Sequence, residues 1–96
     1  MAATTEFLVS EAIPLKGGLI VRGVCSSGHV LAGQEFTGVK SRDGAWTHEF
    51  KLTVSRIIAY RREISELPIS MTAEVHLAGV APEVKHGDLL IAALNG

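Results

Sequence analysis

Chemistry in this 96-residue chain has few places to reside: four histidines, one cysteine and an arginine-rich stretch. His29, His48, His76 and His86 are scattered, and none stands at the paired spacing by which histidines share a metal ion. His48 falls in phase with Trp46 and Phe50 and reads as a partly buried, hydrogen-bonded ring. His29 and His86 adjoin the turn glycines Gly28 and Gly87, which puts both in solvent, and His76 should face outward beside Glu74. Ser26-Ser27-Gly28-His29 lacks the G-x-S-x-G frame of a nucleophile elbow and reads as a turn. A catalytic acid–base pair would have to be assembled by folding, as Glu49 with His76. Cys25 has no second cysteine for a disulfide or a zinc site, and its phase with Leu19, Val21 and Gly23 makes it an inert core thiol.

Glycines recur every fifth residue at Gly18, Gly23, Gly28, Gly33 and Gly38. A phosphate-binding loop with that spacing needs Lys-Ser/Thr directly after its second glycine, so that backbone, ammonium and hydroxyl converge on phosphate and magnesium. Val24-Cys25, Gln34-Glu35 and Val39-Lys40 stand there instead. No metal or cofactor is expected, and the glycines read as turns and bulges.

Charge is the stronger clue. A net charge of −1 opposes indiscriminate binding to nucleic acid. Between Lys40 and Arg62, however, Lys40, Arg42, Lys51, Arg56, Arg61 and Arg62 face only Asp43 and Glu49, a segment of +4 that leaves −5 elsewhere. The sharper reading is a patch for an acidic partner. The plainer one pairs Arg61 and Arg62 with Glu63 and Glu66 on the surface, where such pairs contribute about 0–1 kcal/mol. Tyr60 beside Arg56, Arg61 and Arg62 could stack a base, whereas core packing is the reading for Trp46.

The elements that must carry these residues are strands. Apolar residues are 47% and charged residues 20% of a chain the size of one domain, a globular balance. No run approaches a membrane span and no leader pattern is evident, so the chain reads as soluble and cytoplasmic. Phe7 opens a strand towards Ile13, closed by Pro14. Leu19-Ile20-Val21 and Val24 form a strand with both faces partly covered, and Gly23 within it marks a bulge or a close backbone approach. A further strand spans Phe36 to Lys40, and Asp43-Gly44 signals a type I′ hairpin turn. Trp46, His48, Phe50, Leu52 and Val54 then alternate with polar residues in one long strand, prolonged to Tyr60 past a bend. Arg61 to Pro68 reads as a loop, Ile69 to Val80 as a strand, Pro82 to Gly87 as a turn and Asp88 to Leu94 as the last strand. Six or so short strands with frequent turns and no helical period indicate a small closed β-barrel.

The ordered motifs resemble domain 2 of the translational GTPases, the elongation factor Tu and initiation factor 2 group. They are Gly18-Leu19-Ile20-Val21-Arg22-Gly23, Val30-Leu31-Ala32-Gly33-Gln34-Glu35-Phe36, Val54-Ser55-Arg56-Ile57, Leu77-Ala78-Gly79-Val80 and Gly87-Asp88-Leu89-Leu90. The resemblance covers roughly residues 7–93 and implies a six-stranded Greek-key barrel. In elongation factor Tu that barrel holds the aminoacyl end of transfer RNA with an acidic residue of a "G-(D/E)-E" turn and an asparagine before "L-x-G". Here Glu35 matches the first region, Gln34 departs from it, and Thr72 stands where the asparagine would be.

The sequence therefore reads as a single all-β barrel domain, about residues 6–94, acting as a stand-alone, non-catalytic binding module. Its partner would be a protein or a ribonucleoprotein, met through Arg56, Arg61 and Arg62, with Glu35 and Thr72 marked by the resemblance. An enzyme with a site assembled across strands is the alternative, as is a structural subunit of a homo-oligomer in which Ile57, Ile58 and Ile64 form one exposed patch. Lacking a phosphate loop, the chain should not hydrolyse GTP. Millimolar GTP or ATP with magnesium should leave its melting temperature unchanged; a saturable rise would reveal a nucleotide site of another design.

Overall fold

A computed structural model describes residues 4–47, 50–80 and 83–93, with the side chains of 46, 47 and 93 outside that description. All its elements are strands: β1 (Thr4–Leu15), β2 (Gly18–Ser27), β3 (Val30–Leu31), β4 (Glu35–Phe36), β5 (Gly38–Lys40), β6 (Trp46–Thr47), β7 (Leu52–Ala59), β8 (Arg62–Ile64), β9 (Glu66–Leu67), β10 (Thr72–Ala78) and β11 (Leu89–Ala93). The main sheet runs β4-β7-β10-β2-β1-β11-β5-β6, entirely antiparallel. β4 and β5 stand at opposite ends of this order up to β5 yet are separated by Thr37 alone, whose N–H donates to the Ile91 carbonyl at 3.1 Å. The bent β4–β5 piece therefore serves as a sixth stave between β7 and β11, and the barrel is nearly closed. Numbering the staves in chain order, the circuit reads 1-2-5-4-3-6, a Greek key.

The interior follows from the two-residue period of strands. Phe7 and Val9, Leu19 and Val21, Val75 and Leu77, and Leu90 with Ala92 are all 4% exposed or less, and their odd–even phase sends them to one side. The connection from β2 to β4 crosses one end of the barrel, where β3 pairs β9 and buries Val30 and Leu67 as an end plug. Cys25 is buried in the same core, and its thiol donates to the Gly28 carbonyl at 3.3 Å. Burial pushes that thiol up from its ordinary value, which favours the unreactive protonated form.

Two irregularities shape the outside. Opposite Gly23, β1 carries an extra residue, Ser10, between Val9 and Glu11. Gly23 shares the inward phase of Val21 and Cys25, but a Cβ there would land on the Leu8 carbonyl oxygen and crowd the Phe7 ring, so β1 can cross close over β2 only at glycine. On β7, Ser55 is the extra residue against the His76–Leu77 step of β10. The inward set therefore changes from Leu52 and Val54 to Ile57 and Ala59, and Arg56 and Ile58 turn outward.

Several sequence expectations need correction. β1 runs on through Pro14 to Leu15, tolerated because that half of β1 has only β2 beside it. The Phe36–Lys40 strand breaks at Thr37, because its halves serve different neighbours. The Asp43-Gly44 turn is a five-residue loop with positive φ at Gly44 alone; the Asp43 carboxylate accepts from the Ser41 hydroxyl and from the Ala45 N–H at 3.1 Å. The long strand beginning at Trp46 is interrupted before Leu52. Its His48 and Glu49, like Pro82, lie outside the described residues, as does the direction of the Trp46 side chain. Arg61 to Pro68 is not a loop: it contains β8 and β9. The strand expected from Ile69 begins only at Thr72, after a turn with Ser70 at φ 74°. Ile57 is fully buried, and Ile64 packs on the core opposite it, so with Ile58 these residues form no exposed patch.

The close crossing gives a test. Gly23→Ala should cost about 2–3 kcal/mol through overpacking, lowering Tm by roughly 10–20 °C for a domain of this size. Gly44→Ala, with open space around its Cβ, should cost only the left-handed backbone, about 1 kcal/mol. Equal Tm values for the two variants would contradict the packing described at Gly23.

Candidate functional site

The strongest local anomaly lies between β7 and β8. Ala59 pairs with Arg62, which leaves a two-residue hairpin turn made of Tyr60 and Arg61. Both have positive φ, 52° and 63°, the backbone of a type I′ turn, which asparagine and glycine adopt most readily. Two large side chains occupy it instead, and Tyr60 is 79% exposed. Holding non-glycine residues there costs on the order of 1 kcal/mol each.

The hairpin carries the three arginines singled out from sequence, but in different states. Arg56 is tied to Glu63 at 2.9 Å across the β7–β8 pair, and Glu66 is taken by His29 Nδ1 at 2.9 Å. The surface pairing expected of Arg61 and Arg62 with those two glutamates is therefore not formed. Among the described residues, no carboxylate lies within 4 Å of either arginine.

Tyr60 also stands on the rim of a groove of about 300 Å³ on the barrel's outer wall. Ile58, Ala59 and Ala73 line its Tyr60 side, and Gly23, Ser10 and Thr72 its far side. A second groove, about 210 Å³, continues from Ser10, Gly23 and Thr72 towards Leu8, Val24 and His86. Both depressions follow from the β1 bulge: Ser10 is displaced outward, and its hydroxyl donates to the Arg22 carbonyl at 2.9 Å. His86 Nδ1 donates to the Ser10 carbonyl at 2.8 Å and closes the far end.

One wall of the larger groove is a ladder of charges across three strands. Arg22 donates to Glu11 at 2.8 Å and to Glu74 at 3.0 Å, and His76 Nε2 meets the other Glu74 oxygen at 2.7 Å. These are directly opposed cross-strand neighbours, Glu11 with Arg22 and Arg22 with Glu74. The His76 hydrogen bond, then the one from Arg22, holds the Glu74 carboxyl below the usual carboxylate range. His76 is thus engaged by Glu74.

Glu35 and Thr72, marked by resemblance, are not brought together. Glu35 pairs with Thr53, which is level with Ala78, six residues along β10 from Thr72 and so roughly 20 Å of strand away. Glu35 contacts Lys51 at 3.5 Å, whereas Thr72 lines both grooves at their junction. Gln34 is occupied inside the fold, where it accepts from the Leu31 N–H at 3.1 Å and donates to the buried Thr5 hydroxyl at 3.1 Å. Ser10 and Leu8 had no signal in the sequence, because a bulge opposite a glycine is visible only once strands are paired. Tyr60 was legible as an aromatic beside arginines, though not as a turn residue.

No protein-family model matches the chain, and no curated relative does. Among solved structures, the crystal structure of translation elongation factor SelB from Methanococcus maripaludis, in its apo form, is similar over 94% of this chain with a TM-score of 0.74 at 22% identity. This chain spans 19% of that factor. The fold is thus that of a translation-factor barrel of the elongation factor Tu domain 2 type. Among the described residues no helix is long and apolar enough to cross a membrane.

The charge ladder predicts a pH dependence. A carboxyl held below its ordinary value binds fewer protons folded than unfolded, so it stabilises the fold above the ordinary carboxylate range. That contribution should disappear as pH falls through about 4.5 and below. The Tm of Glu74→Gln should accordingly decline less steeply between roughly pH 5 and pH 3 than that of the parent. Parallel curves would show that the ladder contributes nothing to acid stability.

Proposed function

We propose that this barrel is a non-catalytic binding module of translation-factor type that presents the β7–β8 hairpin to a protein or ribonucleoprotein partner. One observation carries the reading: Tyr60 and Arg61 occupy a turn that disfavours both, at an exposed hairpin tip. Backbone strain of this kind is retained where the side chains themselves are needed. Arg61 and Arg62 have no carboxylate within reach among the described residues, which leaves their planar guanidinium groups available for bidentate capture of carboxylate or phosphate. Arg56, held by Glu63, supports the hairpin, and Thr72 belongs to the adjoining groove. Glu35 lies outside this surface, and its place in a ligand site rests on resemblance alone. Similarity of fold to a translation factor makes a partner from that machinery the natural one to seek.

The strain supplies a variant that separates binding from folding. Tyr60→Asn with Arg61→Gly installs the residues a type I′ turn prefers and should raise stability by about 1 kcal/mol, a Tm increase of roughly 5 °C. The same protein should lose the partners that the parent recovers from native lysate at low salt, as should Arg61→Ala with Arg62→Ala. If the idealised hairpin melts higher and still recovers the same partners, the hairpin is not the interface.

A further inference from the structure

Resting on that reading of the hairpin, we infer that the joined grooves bind a short extended peptide: an apolar anchor seated on the adjacent Leu8 and Val24, and acidic residues held at the Tyr60 end by Arg61 and Arg62. The two depressions share Ser10, Gly23 and Thr72 and so form one trench across β10, β2 and β1. Its two ends differ in character. The end away from the hairpin is bounded by Leu8, 37% exposed, by half-buried Val24 and by the Gly23 backbone. Such a surface takes an aliphatic or aromatic side chain.

At the other end the acids are already committed. Glu63 is matched by Arg56, while Glu11 and Glu74 share the one Arg22, which leaves a single negative charge on that wall. Arg61 and Arg62, which follow Tyr60 in the chain and have no carboxylate within 4 Å among the described residues, bring two positive charges against that one, and the excess complements carboxylates. A nucleic-acid strand fits the trench less well. It carries a phosphate at every nucleotide and needs cations repeated along its path, whereas among the described residues between the arginines and His86 the trench offers only Arg22, outnumbered by its two glutamates. A peptide with its charge at one end and its apolar residue at the other matches the distribution.

The test pans a random library of short linear peptides, displayed on phage, against the full chain. Enriched sequences should carry an aliphatic or aromatic residue on one side of an Asp/Glu cluster, and a synthetic copy should bind more weakly as salt rises. Arg61→Glu with Arg62→Glu should weaken that peptide roughly tenfold or more. Thr72→Tyr, which fills the waist of the trench from an exposed position, should block it without lowering the melting temperature. Enrichment of no sequence, or of sequences lacking acids, overturns the inference, as does binding indifferent to Thr72→Tyr. If mixed-sequence single-stranded RNA binds with the same arginine dependence while peptides do not, the peptide inference fails and the hairpin reading stands. If an enriched peptide binds regardless of both arginines, the hairpin reading fails with it.

Discussion

The close passage of β1 over β2, where the Leu8 carbonyl lies against the unsubstituted Cα of Gly23, governs much of this structure. A six-stave barrel must coil its strands tightly, and coiling brings neighbouring backbones nearer than two side chains allow. Here one strand gives up a side chain and the other inserts Ser10 as a bulge. From that point β1 can pair β11 below and turn away above. The 85–88 turn then fastens to the bulge: Val9 donates to the Asp88 carbonyl at 2.9 Å, and Gly87 to the Val9 carbonyl at 2.7 Å. The same displacement of Ser10 leaves the depression that becomes the trench. Barrel closure and surface relief are thus two consequences of one backbone contact.

Charge counted along a sequence segment is a poor guide to a surface field, and the Lys40–Arg62 stretch shows why. Its six cations are not one patch, because strands distribute them to different faces and neighbours. Lys51 is matched by Glu35, from β4, and Arg56 by Glu63, from β8. Neither acid lies inside the segment that was counted. What remains without an ion pair among the described residues is Lys40 and Arg42, at and just after β5, and the adjacent Arg61 and Arg62 at one hairpin. At that hairpin two charges stand next to Tyr60 in the chain, a local feature of a chain whose net charge is −1.

The sheet was legible wherever a strand buries one face throughout. β10 shows it: Val75 and Leu77 alternate with Glu74 and His76, and the structure keeps that phase. Legibility failed where tertiary pairing, not local pattern, creates the element. β9 is two residues long and exists because Leu67 meets Val30 over the barrel end. β7 changes phase at Ser55, and nothing in the residue types announces a bulge whose partner is about twenty residues away. Phe36 and Val39 looked like one strand because both are apolar, yet they reach opposite neighbours from a stave bent at Thr37. As for the candidate site, the arginines and Tyr60 were visible as residue types. Their separation into paired and unpaired members was not, because it depends on which glutamates the register brings alongside.

The hairpin turn at Tyr60-Arg61 has no signature in its residue types. Turn recognition from sequence relies on glycine and asparagine, the residues that lower the energy of a left-handed backbone. Tyr60-Arg61 carries no such signal, although the pairing of Ala59 with Arg62 forces the same geometry on it. The surrounding structure must over-determine that conformation: Ile57 and Ile64 pair across the hairpin and pack into the core, and Arg56 bridges to Glu63 on the outside. Both faces of the ribbon are therefore secured before the chain reaches the tip. Everywhere else among the described residues, positive φ falls on glycine except at Ser70. Among the described residues glycine takes nearly all the left-handed positions, and where exposed Tyr60 and Arg61 break that habit the conformation is held by the rest of the ribbon, not by the residues of the tip.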